Sequence, residues 1–402
     1  MLFRMKRLIE INSAANYGST GRIAEAIGLK AVGEGWECTM VHGPRYANSS
    51  GLNGICTQSK WGDRLHGVRS LLLDGHGLGS VRATKRLVAQ LDYCQPDIVH
   101  LHNIHGYYIN YKILFEWLHR ADCKVVWTLH DCWPFTGHCT YFDFEGCYRW
   151  QSGCYDCPQI GAYPRSLYLD RSKRNYELKR SLFGALGDRL TLVAVSHWLE
   201  GLVSDSFLGC SAVTTIYNGI DLSVFSPRRS EHQRNYVIGV ASPWTARKGL
   251  GDFMRLRNEL RSDVDIVLVG LTANQVKKLP SGIIGIERTQ NVEQLAQLYS
   301  GASVFVNPTY EDNFPTTNLE ALACGTPVVT YRTGGSPEAI DENTGIVVEK
   351  GDVEGLNSGI TQIWQSKHQF TSQQCRTRAE ECFDKDKCFS RYIELYNRLI
   401  EK

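Results

Sequence analysis

Residues 310–338, YEDNFPTTNLEALACGTPVVTYRTGGSPE, hold more groups able to meet a charged, hydroxyl-rich ligand than any other stretch of this chain. Asn313 and Pro315 form an irregular turn leading into a helix, whose first amides have no intrahelical acceptor. Glu320 lies about a turn inside that helix. Asp312 and Glu320 are too far apart for one helical turn, yet both reach one extended ligand if Asp312 sits in the loop. Carboxylates accept hydrogen bonds from sugar hydroxyls. GTPVV and the Gly334–Gly335 pair allow close backbone approach near phosphates.

Three other segments place polar groups directly after an apolar run. In ASPWTARKGLGDF (241–253), Arg247, Lys248 and Gly249 precede a helix. Cations there oppose the helix dipole, and a bound diphosphate would relieve the conflict; the competing reading is a solvated basic turn. In TLHDCWPFTG (128–137), His130 and Asp131 end a strand, where a lone histidine is usually a satisfied core residue but the adjacent acid favours chemistry. In NSAANYGSTGRIAEAIG (12–28), Gly18, Ser19, Thr20 and Gly21 open a helix, as a phosphate-binding turn or a plain connection would.

The segment CWPFTGHCTYFDFEGCYRWQSGCYDCPQ (132–159) gathers Cys139, Cys147, Cys154 and Cys157, the last two as CxxC. Four thiolates in an irregular, aromatic-rich loop fit a tetrahedral structural zinc, with Cys132 and His138 in reserve. Buried thiols or one or two disulfides remain the alternative.

The elements that must position these residues follow from the pattern. Short β-branched runs alternate with helical stretches at 8–11, 39–43, 97–103, 124–131, 190–196 and 213–219, and again at 236–241, 265–270, 283–288, 303–308, 327–331 and 345–349. That rhythm predicts an α/β chain with two parallel sheets. The polar stretch 221–235, containing Pro227, is the expected linker, and 402 residues suit two domains with a ligand cleft between them. The tail from 386 has helical apolar spacing.

With 43% hydrophobic and 21% charged residues the chain can bury large cores, which excludes disorder. A net charge of +2, from 44 basic and 42 acidic residues, excludes recruitment of nucleic acid by a global field. Arg4, Lys6 and Arg7 beside Leu2, Phe3 and Leu8 form a local candidate for peripheral contact with an anionic membrane, set against the plainer reading of solvated charges. No membrane-spanning run or signal-peptide pattern is present, so the expected location is the cytoplasm, including the inner membrane face.

Taken with these residues, the chain resembles the family-four (group 1) retaining glycosyltransferases over nearly its whole length. DNFPTTNLEALACGTPVV (312–329) is similar to the family's carboxylate, seven residues, Glu, Ala, then CGTPVV; VAVSHW (193–198) and IYNGID (216–221) match further signatures. The resemblance implies a GT-B fold of two Rossmann-like domains facing a cleft. Residues 1–221 would form the acceptor-side domain, with the insertion at 132–159, and 222–385 the nucleotide-sugar domain; the helix 386–402 would pack back on the first.

It further implies His130, Lys248, Asp312 and Glu320 as catalytic residues. Glu320 would hold the ribose hydroxyls, Asp312 the transferred sugar, Lys248 the diphosphate and His130 the sugar near its reacting carbon. The donor-binding set would be Gly18, Ser19, Thr20, Gly21, Arg247, Glu311, Asn313, Phe314, Pro315, Thr316 and Thr317. The implied reaction moves a sugar from a UDP- or GDP-sugar with retention, without a catalytic metal, to a saccharide or polyprenyl-linked saccharide, as in bacterial surface polysaccharide and capsule assembly. Two positions depart from the family. Its usual Glu is Asp312, with Glu311 adjacent as a substitute, and its arginine five residues before the lysine is Pro243, with Arg247 the nearest replacement. A nucleotide-sugar epimerase and a non-catalytic binding subunit are the alternative readings.

Overall fold

The computed structural model describes residues 4–228 and 235–401. The chain forms two compact units, Met1–Ile216 with Phe389–Lys402, and Tyr217–Cys388. The division falls at 216/217 rather than at 221, because 217–221 is tied to the second unit. There Tyr217 stacks on Phe314 at 4.9 Å, Ile220 N–H donates to the Phe383 carbonyl, and Lys385 pairs with Asp221 at 2.5 Å. Within the expected linker, residues 229–234 lie outside the described residues.

The first unit is built on strands β1 (Arg7–Ile11), β2 (Glu37–His42), β3 (Asn53–Cys56), β4 (Ile98–Leu101), β5 (Lys124–Leu129), β6 (Leu190–Ala194) and β7 (Ala212–Thr215). Their order is β3-β2-β1-β4-β5-β6-β7 and every pairing is parallel. The central strands β4 and β6 are buried along their whole length, as expected for a sheet covered on both faces. β3 (NGIC) escapes the sequence reading because it is a short, mostly exposed edge strand with no apolar alternation.

The second unit carries β8 (Tyr236–Val240), β9 (Asp265–Val269), β10 (Ile283–Ile286), β11 (Val304–Asn307), β12 (Val328–Tyr331) and β13 (Gly345–Val348), in the order β10-β9-β8-β11-β12-β13. Its core joins Val237, Ile266, Val304 and Val329 from the sheet to Phe253, Leu256, Leu356 and Ile360 from flanking helices. Each such side chain contributes about 2 kcal/mol by burial. In both sheets the order reverses between neighbouring strands, at β1/β4 and at β8/β11, and open α/β sheets bind ligands beyond the carboxyl ends at such points.

In the N-terminal basic cluster Arg4 and Lys6 are exposed and Arg7 is part-buried. Leu8 is fully buried in β1, Arg7 pairs with Glu37 at 3.1 Å, and Lys6 donates to Asn397 Oδ1 and sits over the Trp36 ring. Leu2 and Phe3 lie outside the described residues.

Candidate active site

In the second unit, Lys248 follows β8 and Asp312 follows β11, on either side of the reversal point. A short 3-10 turn, Ala246–Lys248, carries the lysine, and Gly249 then takes a left-handed conformation (φ 76) before the helix Leu250–Glu259. A side chain on Gly249 would collide with the Pro308 carbonyl, so glycine lets this turn lie against the loop after β11. Tyr310 N–H donates to the Arg247 carbonyl at 2.8 Å. Gly334, also left-handed, fits against the Asp312 carbonyl on the other side, where Gly335 N–H donates to the Asn313 carbonyl. The loop is thus held from both flanks.

Within it, Lys248 Nζ donates to Asp312 Oδ2 at 2.5 Å, with both side chains part-exposed. Glu311 is buried, and its carboxylate lies 3.8 Å from Arg247. The carboxylate that meets the lysine is therefore Asp312, and Arg247 is directed at Glu311. Asn313, Phe314 and Pro315 are buried; Thr316 and Thr317 open the helix Thr316–Ala323 and are part-exposed. No side chain caps this helix and no acid lies in its first turn. Glu320 accepts a hydrogen bond from Tyr299 Oη at 2.9 Å.

In the first unit, Gly18, Ser19, Thr20 and Gly21 form the first turn of the helix Gly18–Gly33 after β1, likewise without a side-chain cap or a first-turn acid. His130 and Asp131 follow β5. Asp131 accepts from His105 Nε2 at 2.7 Å and from Trp133 N–H, so it fixes the start of the cysteine-bearing segment.

His130 belongs to a chain of groups that the sequence did not single out. Register sets Glu10 of β1 beside His100 of β4, and the two-residue period puts His102 on the same side of the backbone. Glu10 Oε2 lies 2.6 Å from His102 Nε2, and His102 Nδ1 lies 3.0 Å from His130 Nε2. His100 meets Thr128 through Nε2 and Tyr396 through Nδ1. Tyr392 and Tyr396, one turn apart near the end of the chain, complete this buried cluster. Burial pushes the Glu10 carboxyl up, but His100 and His102 outweigh it and hold the group down at about 2. Burial and neighbouring His100 pull His102 down to about 4 against the attraction of Glu10, and burial with three nearby histidines pulls His130 well below its ordinary value. The one signal in the sequence was a charged residue in LIEI opposite H-x-H in IVHLHN.

Cys139, Cys147, Cys154 and Cys157 line one small pocket together with His138, while Cys132 is absent from its lining. His138 is occupied at Nδ1 by Asp74 at 2.6 Å. Lys179, fully buried, donates to the Trp133 and Thr136 carbonyls at 2.7 and 2.9 Å and anchors the segment's start. No disulfide forms among the described residues. Among them, the one trio with ligand atoms all within 4.8 Å is Glu10, His100 and His102. Every ring nitrogen of that trio already has a hydrogen-bond partner.

Residues 22–224 match the family model described as Glycosyltransferase Family 4, and residues 234–366 match the one described as Glycosyl transferases group 1. The chain belongs to glycosyltransferase family 4. Among relatives of this glycosyltransferase, Escherichia coli WcaC, whose name assigns it to colanic acid biosynthesis as a glycosyl transferase, is 26% identical over 76% of this chain and 77% of its own. An MMP alpha-(1->4)-mannosyltransferase of Mycolicibacterium hassiacum is 25% identical over 56% of this chain and 57% of its own. The GT-B fold is shared with sucrose-phosphate synthase of Thermosynechococcus elongatus (TM-score 0.72, 18% identity, 98% and 99% coverage). It is shared equally with Anabaena HepE in complex with UDP (TM-score 0.66, 15% identity, 98% and 100% coverage).

Proposed function

We propose that this glycosyltransferase transfers a sugar from a nucleoside diphosphate donor, with retention of anomeric configuration, to a saccharide or lipid-linked saccharide in surface polysaccharide assembly. The Lys248–Asp312 pair at the β8/β11 reversal, beside the uncapped start of Thr316–Ala323, carries this reading. An ammonium has three N–H groups, so one bond to Asp312 leaves donors for phosphate oxygens. Glu320, further along the same helix, is spaced to accept from ribose hydroxyls while Tyr299 orients it. The resemblance implies that His130, at its strand end, meets the transferred sugar near its reacting carbon. No divalent ion is needed for the leaving group, because lysine and helix dipole supply the positive potential. The name of WcaC supports the polysaccharide setting, and the UDP complex of HepE supports a nucleotide donor.

The test is a panel of nucleotide sugars assayed by melting temperature and then turned over with acceptor. The cognate donor raises the melting temperature, and Glu320→Ala lowers donor affinity about tenfold to a hundredfold by losing a charge-assisted hydrogen bond. Product with inverted configuration sinks retention, and altered nucleotide sugar formed without acceptor favours the epimerase reading.

We also propose one structural zinc on Cys139, Cys147, Cys154 and Cys157. Supporting it are the shared pocket, the Gly137 N–H donated to Cys154 Sγ at 3.1 Å, and the CxxC turn with Asp156 in the left-handed region (φ 42). The sulfurs must draw closer to ligate, which a loop this irregular permits. Elemental analysis of protein purified under reducing conditions should find about one zinc per chain, lost in Cys157→Ser. Metal-free protein with an unchanged melting temperature removes the proposal.

A further inference from the structure

The helix Lys60–Leu73, KWGDRLHGVRSLLL, is inside out. Its buried residues are Asp63, His66 and Ser70. Its large apolar residues face outward: Trp61 is 71% exposed, Leu65 71%, Val68 51% and Leu72 40%. Spaced four, three and four residues apart, these four form one stripe along the helix. A helix on a globular unit ordinarily turns such a stripe inward. Here the opposite face is held by polar partners: Asp63 takes Arg45 at 2.5 Å, and His66 bonds Ser80 Oγ at 2.8 Å and the Gly79 N–H at 3.0 Å.

The stripe continues onto a neighbouring segment. Leu167 N–H donates to the Leu71 carbonyl at 2.8 Å, and Leu167, Tyr168 and Leu169 are all exposed. Lys60, Arg64, Arg69 and Arg165 are exposed around this apolar surface, and the helix's one acid, Asp63, is buried and paired. Arg64 lies over the Trp61 ring at 5.0 Å, an arrangement of aromatic ring and cation suited to a headgroup region.

We infer that the surface formed by Trp61, Leu65, Val68, Leu72 and Tyr168 docks in the plane of an anionic phospholipid bilayer. The apolar stripe enters the boundary between headgroups and acyl chains, and the basic rim meets the lipid phosphates. Charge selects this occupant, since the exposed rim of the helix is basic without an exposed acid. No described helix is long and apolar enough to cross a membrane, so the helix lies on the bilayer. Docking requires neither donor nor acceptor and therefore stands apart from the transfer reading.

The experiment is vesicle sedimentation of the full chain, with phosphatidylcholine alone and with about one third phosphatidylglycerol. Binding to the anionic vesicles is expected, weakening with salt. Trp61→Ser with Leu65→Ser should weaken it at least about tenfold, and Lys60→Gln with Arg64→Gln about fivefold per charge removed. These side chains are exposed, so the variants should keep the wild-type melting temperature and circular dichroism. Absence of binding to the anionic vesicles overturns the inference, as does binding that both double variants leave unchanged. A concentration-dependent dimer in solution, abolished by Trp61→Ser with Leu65→Ser and without lipid binding, would assign the surface to a second copy of the chain instead.

Discussion

Lys248→Ala is expected to lower kcat about 10²–10³-fold, the usual cost of removing one preorganised charge that meets developing negative charge. Departure of a nucleoside diphosphate builds charge on the phosphate oxygens, and the Lys248 ammonium at the β8/β11 reversal is placed to meet it. The loss should fall mainly on kcat, because the interaction strengthens as the bond breaks. The variant should still fold: the Lys248–Asp312 pair is part-exposed and its removal costs about 2 kcal/mol. Lys248→Arg supplies the control. It keeps the charge but replaces a compact ammonium with a planar fork, so it should recover only part of the rate. Steady-state kinetics with the cognate donor, beside melting curves, separate these effects; near wild-type turnover in Lys248→Ala would sink the assignment of the site.

Asp312 makes the companion case. If the aspartate positions Lys248 as well as meeting the sugar, Asp312→Asn loses both functions, and its defect should not add to that of Lys248→Ala in the double variant. Independent, additive losses would mean that the 2.5 Å pair has no part in turnover.

The residues of the 312–320 segment were legible because their signal is local: a turn with Asn313 and Pro315, then a helix with Glu320 at fixed spacing. The pairing of Lys248 with Asp312 was not, since 64 residues separate them and only the adjacency of β8 and β11 brings them together. The same holds for Glu10 and His100, which meet through strand register. The helix at 60–73 was not read from the sequence, and the spacing of Trp61, Leu65, Val68 and Leu72 would mark a stripe without saying which way it faces. The buried partners of Asp63 and His66, Arg45 and Ser80, decide that. Alternation found every strand with a buried apolar run and missed β3, whose sequence has none.

The network behind His130 leads to the second large effect, in Glu10→Gln. An ionised Glu10 can only accept, so His102 must carry its proton on Nε2 and present a lone pair at Nδ1. His130 then donates through Nε2, which leaves Nδ1 as its acceptor nitrogen. Glutamine can donate as well as accept, which permits both histidines to reverse. Expected are a loss of about 3 kcal/mol in stability, from breaking a buried charged contact, and a mixed tautomer at His130 in nitrogen-15 spectra. The acid profile discriminates further. His102 is lowered from 6.5 to about 4, so the unfolded chain binds the extra proton first, and wild-type stability falls as pH drops from 6.5 towards 4. Glu10 is lowered from 4.5 to about 2, so its contribution is present above 4.5 and lost as pH falls towards 2. Glu10→Gln should abolish the second decline and deepen the first, because His102 loses the carboxylate that favours its charged form. An unchanged acid profile in the variant would mean that Glu10 does not hold the histidines, and the ordered proton on His130 would lose its physical basis.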